Sequence, residues 1–289
     1  MSYQRSWRPG PYAGGNKMLI VPRRRVAGDL LLNLYSGAAA AYSLRQLRTG
    51  VTSVVRVRRS SDNTEADFTA TQVTDGTLTS WVGGGNNGFV RTWYDQSGNN
   101  RHATQTASTD QPRVVIAGSL VQTNSRPAVD FDGSNDRMDV PTIAFNMNAV
   151  TVNIVCKSDT SNTVFAFASP DNNRMYVPFV SPGNYSVGYS DSASKFAFGG
   201  TAITSQYLVQ LAAGSSTANA WRNNTASTSA TPSSAPEAGN SISIGSYKRD
   251  SAITNFWDGT IQEIIFYTSD QTSARAGIAS NINGHYAIY

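Results

Sequence analysis

Short apolar segments separated by polar or glycine-rich turns dominate the chain from about residue 112 onward, as in VTVNIVCK, YLVQLAAG and SISIGSY. The segments recur at roughly the 8–12-residue spacing that is typical of a β-sandwich. This pattern predicts a mainly β fold that contains a few short helices.

The preceding residues mix the two hydrophobic periodicities. Val55 and Val57 alternate with arginines, which predicts a half-buried strand. The alanine-rich stretch Ala38–Leu47 predicts a helix by propensity. The sequence DGTLTSWVG predicts a second short helix, and GFVRTWYDQ predicts a strand that runs into a turn.

The end of the chain has the helical period. Asp270 or Thr272 can cap the start of a helix, and Gly284 is predicted to stop it. The buried stripe of this helix is predicted to consist of Ala274, Ile278 and Ile282.

Residues 1–28 differ from the rest in composition and charge. Prolines and glycines disfavour regular structure there, and the six basic residues with no acid give this arm a charge of +6. The remaining 261 residues carry 17 basic and 19 acidic groups, a net charge of −2. The basic character therefore belongs to the arm, and specific nucleic-acid binding by the whole chain is not predicted.

Large apolar and basic side chains in this arm suggest an anchor that orders against a partner, with a disordered tail as the alternative. The predicted anchoring residues are Trp7, Arg8, Tyr12, Arg23, Arg24 and Arg25.

Cys156 is the single cysteine, which excludes an intrachain disulfide and a thiolate zinc cluster. No stretch approaches the roughly 20 apolar residues of a membrane span, and no segment at the start of the sequence resembles a signal peptide. We expect no membrane partner.

The stretch NGFVRTWYDQSGNNRHATQ brings Asp95, Ser97 and His102 close together in sequence. These three groups share one turn and lack a nucleophile elbow, so they do not predict a catalytic triad. Asp95 is instead predicted to accept backbone N–H groups in an Asx-type turn.

Aromatic residues beside polar groups are candidates for stacking on a sugar ring, with core packing as the alternative. These glycan-binding candidates are Trp93, Tyr94, Trp221 and Trp257.

Two charged clusters also have alternative interpretations. Three aspartates could hold Ca²⁺, the one cofactor considered, although their spacing is not that of an EF-hand and a satisfied turn is the alternative. They are Asp130, Asp132 and Asp136. The arginines near acidic residues are predicted to form a solvated or interface surface rather than a nucleic-acid site. They are Arg56, Arg58 and Arg59.

PAVDFDGSNDRMDV, AVTVNIVCK and the closing segment SISIGS with FWDGTIQEIIFYTSDQ occur in the order found in a known fold. Together they resemble the concanavalin-A/laminin-G-like jelly-roll β-sandwich. The preceding stretch from AYSLRQL to NGFVRTWYDQSGNNRHATQ is similar to the opening part of the catalytic domain of an α-L-arabinofuranosidase family, itself a sandwich of this class.

The combination of arm, opening segment and sandwich also resembles structural proteins of tailed bacteriophages. These likenesses imply an anchoring arm over residues 1–28, an α+β segment over 29–111 and a jelly-roll sandwich with a C-terminal helix over 112–289.

The arabinofuranosidase resemblance implies a glutamate nucleophile in the sandwich and a turn with paired cysteines at the pocket. This sequence has no adjacent cysteines, and beyond residue 110 its glutamates are Glu237 and Glu263. Neither is flanked as a nucleophile would be, so we expect a protein that is not an enzyme.

The favoured hypothesis is a virion structural protein whose arm binds other virion proteins and whose sandwich faces the host, where it can bind surface glycan. We expect a homo-oligomer, with a trimer as one form. The alternatives are a receptor-binding carbohydrate module and an arabinofuranosidase-like glycoside hydrolase.

Overall fold

The computed structural model describes residues 30–146, 148–160, 205–227, 229, 242–247 and 253–289 with their side chains. It describes the backbone alone of residues 164–165, 167–168, 175–181, 184–189, 195–199, 236–237, 248–249 and 252. The predicted arm lies outside the described residues, and so do its anchoring candidates Trp7, Arg8, Tyr12, Arg23, Arg24 and Arg25.

The described helices are α1 (Leu31–Leu34), α2 (Ala70–Thr74), α3 (Thr77–Val82) and α4 (Arg275–Tyr286). The described strands begin with β1 (Ala40–Ser43), β2 (Val55–Arg59), β3 (Glu65–Phe68), β4 (Gly88–Trp93), β5 (Ala103–Thr104), β6 (Arg113–Ile116), β7 (Ser119–Leu120), β8 (Gln122–Thr123), β9 (Arg126–Pro127), β10 (Val129–Asp132), β11 (Met138–Val140), β12 (Phe145–Asn146) and β13 (Val150–Ser158). They continue with β14 (Val164–Phe165), β15 (Phe167–Ala168), β16 (Met175–Ser181), β17 (Asn184–Tyr189), β18 (Lys195–Gly199), β19 (Tyr207–Ala213), β20 (Ala218–Arg222), β21 (Thr225–Ala226), β22 (Pro236–Glu237), β23 (Ile242–Ile244), β24 (Tyr247–Arg249), β25 (Ala252–Thr254) and β26 (Asp258–Tyr267).

The strands form an antiparallel β-sandwich, as the sequence predicts. One layer has the order β21–β20–β19–β13–β26, and β1 and β10 share the far edge of β26. The other layer runs from β3 through β2 and β4 to β5 and β6, and from β5 through β11, β23, β15, β16 and β17 to β18. A short pairing of β10 with β6 joins the two layers.

The layer that contains β13 is buried on both faces. Val152 and Ile154 belong to the cluster between the layers, whereas Val155 belongs to a second cluster with Ile278 and Ile282 of α4. Because α1 and α4 cover the outer face, β13 reads as a nearly continuous apolar run rather than an alternating strand.

Two helix predictions need correction. The predicted helix over Ala38–Leu47 is wrong, because Ala40–Ser43 form the strand β1 paired with Phe266 to Glu263 of β26. Pairing with a buried strand overrides the helical propensity of alanine here. The C-terminal helix is confirmed, but its N-cap is Ala274 rather than Asp270 or Thr272. It continues past Gly284 to Tyr286, and the C-cap Ala287 has a φ of 51°.

The other local predictions agree with the structure. The predicted short helix is α3, the predicted strand over GFVRTWYDQ is β4, and Val55 and Val57 are buried on β2. No helix in the described part of the chain is long and apolar enough to cross a membrane.

A β-bulge in β26 determines which way its carboxylate points. Val155 pairs with Glu263 and Cys156 with Ile261, so Gln262 is the extra residue. The extra residue reverses the side-chain alternation, and Glu263 faces α4 instead of the space between the layers.

Gly259 lies at a point where no side chain fits. Its φ is +137°, and a Cβ there would overlap the carbonyl oxygen of Lys157 on β13. We expect Gly259→Ala to lower the free energy of unfolding by about 3 kcal/mol, measured by urea denaturation. In the control Gly84→Ala, the added Cβ meets nothing within 4 Å, and a change below about 1 kcal/mol is expected. Equal effects in the two variants would show that the contact between Gly259 of β26 and the Lys157 carbonyl of β13 is not tightly packed.

Candidate functional site

An open polar cleft of about 380 Å³ lies where β4 leaves the sheet. We call it the Tyr94 cleft. Its polar lining includes Arg48, Thr52, Asp67, Tyr94, Asn100 and His102. The strand alternation explains this position, because Trp93 is fully buried and the next residue therefore points out of the core.

Tyr94 and a carboxylate form the hydrogen-bonded centre of this cleft. The Tyr94 hydroxyl donates to Asp67 Oδ1 over 2.7 Å, and Arg56 holds both oxygens of Asp67 through Nε at 2.7 Å and Nη2 at 2.8 Å. The hydrogen bonds from Arg56 lower the pKa of Asp67, so this carboxylate is ionised at neutral pH. Burial and then the bond to Asp67 raise the pKa of Tyr94 to about 12, so the phenol keeps its proton.

His102 packs edge-on against the Tyr94 ring, with the ring centroids 5.0 Å apart. The Asp95 backbone N–H donates to His102 Nδ1 over 3.1 Å. Because Nδ1 accepts this bond, a neutral His102 carries its proton on Nε2.

Asp95 closes a turn, as predicted. Its Oδ1 accepts the N–H groups of Ala41 at 2.9 Å and Ser97 at 2.8 Å. Its Oδ2 accepts the Ser97 hydroxyl at 2.8 Å and the Arg101 N–H at 3.0 Å. Ser97 therefore bonds to Asp95 and His102 accepts from the backbone, so the three groups do not form a triad.

Gln96 has a positioning role that sequence reasoning missed. Its Oε1 accepts the Leu47 N–H at 2.8 Å, and its Nε2 donates to the carbonyls of Ser43 and Arg45, both at 2.9 Å. The buried Gln96 amide thus forms three hydrogen bonds with the backbone of the segment after β1, which a neighbouring strand would otherwise have to supply. An isolated glutamine gives no signal of this role in the sequence.

Arg48 supplies a positive charge to the Tyr94 cleft. Its guanidinium lies against Gly98, which has a φ of +96°, and donates to the Ser97 carbonyl over 3.2 Å. The buried Nε atom of Arg48 has no hydrogen-bond partner among the described residues.

Glu263 is fully buried, and four hydrogen bonds reach its two oxygens. Arg45 binds both oxygens, with Nε at 2.7 Å and Nη2 at 2.8 Å, while Ser43 donates at 2.9 Å and Tyr286 at 3.1 Å. The remaining Arg45 nitrogen, Nη1, donates to Asn281 over 3.1 Å. Because a fully buried carboxylate cannot contact a sugar, Glu263 joins β1, β26 and α4 and is not a nucleophile.

The charges of this network act on one another. Burial alone would raise the pKa of Glu263, but the charge and hydrogen bonds of Arg45 outweigh it and hold that pKa below its usual value. Burial and then the charge of Arg45 lower the pKa of His285, next to Tyr286, to about 4. His285 is therefore neutral at neutral pH.

The predicted surface role of the arginines on β2 and its turn is confirmed. Arg56 pairs with Asp67, and Arg59 pairs with Asp62 through Nη2 at 2.6 Å. Arg58 donates to Gln111 over 2.8 Å. These side chains are already paired with neighbouring protein groups, which does not favour a nucleic-acid site.

Two of the four glycan-binding candidates are wrong. Trp93 and Trp257 are fully buried in the core between the layers and cannot reach a sugar. Trp221 is partly exposed, but one face of its ring is covered by the Arg275 guanidinium at 4.6 Å from the centroid. Tyr94 lines the cleft described above.

The three aspartates of the calcium prediction have partners within the protein. Asp130 accepts from Arg113 at 2.7 Å, Asp132 Oδ1 accepts the Ser134 N–H at 2.9 Å, and Asp136 accepts the Asp132 N–H at 3.0 Å. Burial and then the Asp132 charge raise the pKa of Asp136 to about 7. Among the residues with described positions, no three His, Cys, Asp or Glu side chains form a metal-binding group. The calcium site stays a prediction.

The fold is shared with glycoside hydrolases. A GH54 α-L-arabinofuranosidase mutant soaked with 4-nitrophenyl α-L-arabinofuranoside superposes with a TM-score of 0.63 at 13% identity, over 87% of this chain and 64% of that one. A GH54 α-L-arabinofuranosidase soaked with a cyclic sulfate inhibitor gives the same values. An arabinofuranosidase complexed with arabinofuranosyl-α-1,2-xylobiose gives 0.59 at 15% identity, with the same coverage.

At this identity the likeness establishes the fold, and the chain spans about 64% of the length of these enzymes. The sequence matches no protein-family profile and no curated protein.

These neighbours change the functional expectations. The prediction of a protein that is not an enzyme is wrong at the level of fold, because the structures above are glycoside hydrolases with substrate or inhibitor. The resemblance to an arabinofuranosidase domain agrees with them at the level of fold. None of the comparisons supports a bacteriophage structural protein; the virion partners and location and the trimer stay predictions.

We expect the contribution of His285 to stability to fall in acid. Unfolded His285 titrates near 6.5 and folded His285 near 4, so between these values the unfolded state binds more protons at this residue. This difference corresponds to about 3.4 kcal/mol, and because His285 is partly exposed we expect a loss of about 2 kcal/mol. Asp136, with a pKa of about 7 in the folded state, acts in the opposite direction over the same range, so the contribution of His285 is measured as the difference in unfolding free energy between the parent protein and His285→Asn.

His285→Asn should remove most of this dependence, and His102→Asn should retain it. Since the chain has two histidines, NMR titration of the imidazole signals separates them. A His285 signal that titrates near 6.5 in the folded protein would contradict the burial described here.

Proposed function

We propose that this chain is a carbohydrate-active domain that binds an arabinofuranoside in the Tyr94 cleft and hydrolyses its glycosidic bond. The observation that carries the proposal is the cleft itself, in which an aromatic ring, an ionised carboxylate and the positive charge of Arg48 lie together, in a fold that arabinofuranosidases also have. Those arabinofuranosidases are longer proteins than this chain, so their activity applies to it only as part of this proposal.

Sugar binding fits the chemistry of the lining. A furanose ring presents hydroxyls around a weakly apolar face, and the partly exposed Tyr94 ring offers a surface for that face. The exposed side chains of Asn100 and Thr52 are donors for the hydroxyls. The cleft is open, which suits the end of a glycan chain or a branch.

Hydrolysis needs an ionised carboxylate and a proton donor on either side of the glycosidic bond. Asp67 is the carboxylate that meets the first requirement, since Arg56 keeps its pKa low. The proton-bearing side chains beside it are Tyr94 and His102. We assign Asp67 the role of base or nucleophile.

For binding, we expect Tyr94→Ala to weaken the affinity for methyl α-L-arabinofuranoside about tenfold, because the stacking surface is lost. The measurement is an NMR titration at millimolar sugar. Tyr289→Ala, which removes an exposed tyrosine outside the cleft, is the matched control and should leave the affinity unchanged. Equal affinity in Tyr94→Ala and the parent protein would rule out this cleft as the binding site.

For catalysis, release of 4-nitrophenol from 4-nitrophenyl α-L-arabinofuranoside should fall at least about 100-fold in Asp67→Asn. The control Asp62→Asn removes the partner of a similar surface arginine away from the cleft and should keep full activity. Both pairs are exposed, so each variant should lose less than about 1 kcal/mol of stability. Absence of release by the parent protein, or full release by Asp67→Asn, would refute the hydrolytic role.

A further inference from the structure

A second cleft, of about 350 Å³, is lined by another part of the segment that borders the Tyr94 cleft. We call it the Arg126 cleft. Leu44, Arg45 and Gln46 form one wall, and Arg126 with the end of α4 forms another. None of its lining residues lines the Tyr94 cleft, so the two are separate.

The Arg126 cleft carries one uncompensated positive charge. Arg45 is neutralised by Glu263, and its third nitrogen is occupied by Asn281. Arg126 is exposed and forms no ion pair with any described residue. The lining contains no aspartate or glutamate. An anion that enters this cleft therefore gains an attraction that the protein does not already satisfy.

The size and the remaining lining argue against a bare inorganic ion. A volume of about 350 Å³ holds roughly ten waters, far more than sulfate or phosphate displaces. Ala70 and Pro127, both partly exposed, provide apolar surface for a ring, and the hydroxyls of Thr71 and Thr74 provide hydrogen bonds. One free cation matches the single charge of a carboxylate better than the double charge of a phosphate.

We propose that the Arg126 cleft binds a sugar acid, with the carboxylate of a uronic acid residue paired to Arg126 and its ring against Ala70 and Pro127. The choice of a sugar acid over other ring carboxylates rests on the proposed carbohydrate function, whereas the anion site stands on the charges and shape of the cleft. The ligand is a glycan that carries uronic acid groups.

The test is an NMR titration of the full chain with sodium galacturonate, galactose and sodium sulfate, followed through the His285 signal and the ligand signals. Galacturonate should bind, and Arg126→Gln should weaken it about tenfold. Arg59→Gln, at an exposed arginine outside the cleft, should leave the affinity unchanged. Galactose and sulfate should each bind about tenfold more weakly than galacturonate.

The outcomes separate this inference from the proposed function. Tyr94→Ala should leave galacturonate binding intact even if arabinofuranoside binding is lost or never observed. Unchanged affinity in Arg126→Gln, or loss of galacturonate binding in Tyr94→Ala, would overturn the site. Equal affinity for galactose would overturn the role of the carboxylate, and equal affinity for sulfate would overturn the sugar acid as ligand. Arg126 is exposed, so its substitution should not disturb folding, which urea denaturation of the variant verifies.

Discussion

The buried pair of Arg45 and Glu263 is the interaction on which the described arrangement depends. It places a carboxylate with no solvent exposure at the meeting point of β1, β26 and α4. A buried charge is tolerated when it is paired and hydrogen-bonded, and here Arg45, Ser43 and Tyr286 donate four hydrogen bonds to the carboxylate. The bulge at Gln262 makes this possible, because it turns Glu263 away from the apolar space between the layers.

The same pair fixes the segment that borders both clefts. Arg45 holds the segment from the side of α4, and the amide of Gln96 holds the neighbouring backbone from the turn after β4. The Arg126 cleft and the Tyr94 cleft are therefore lined by a loop secured at two points, although the loop has little regular structure. Rigid support of this kind keeps ligand-binding groups in position.

Local chemistry explains which features the sequence could predict. The turn at Asp95 depends on residues within six positions and on one strand, and alternation places Val55 and Val57 inside β2. The partners of Glu263 lie more than 200 positions away on one side, and the bulge leaves no local signature, so the sequence could not assign its role.

The errors have physical causes of the same kind. Alanines at 38–41 favour a helix in isolation, yet β26 offers them a buried edge to pair with. Trp257 stands beside Asp258 in sequence, but the strand directs the two side chains to different surroundings and the indole is buried. The sequence does not single out Arg126, because its charge is uncompensated only in the folded cleft, where no lining residue is acidic.

The most direct test is a double-mutant cycle on the buried pair, measured as the free energy of unfolding. Arg45→Met leaves Glu263 buried without its cation and should cost about 3–5 kcal/mol, whereas adding Glu263→Leu should recover at least about 2 kcal/mol of that loss. Additive losses in the double variant would mean that the two side chains do not depend on each other, and that their pairing does not fix the segment bordering the two clefts.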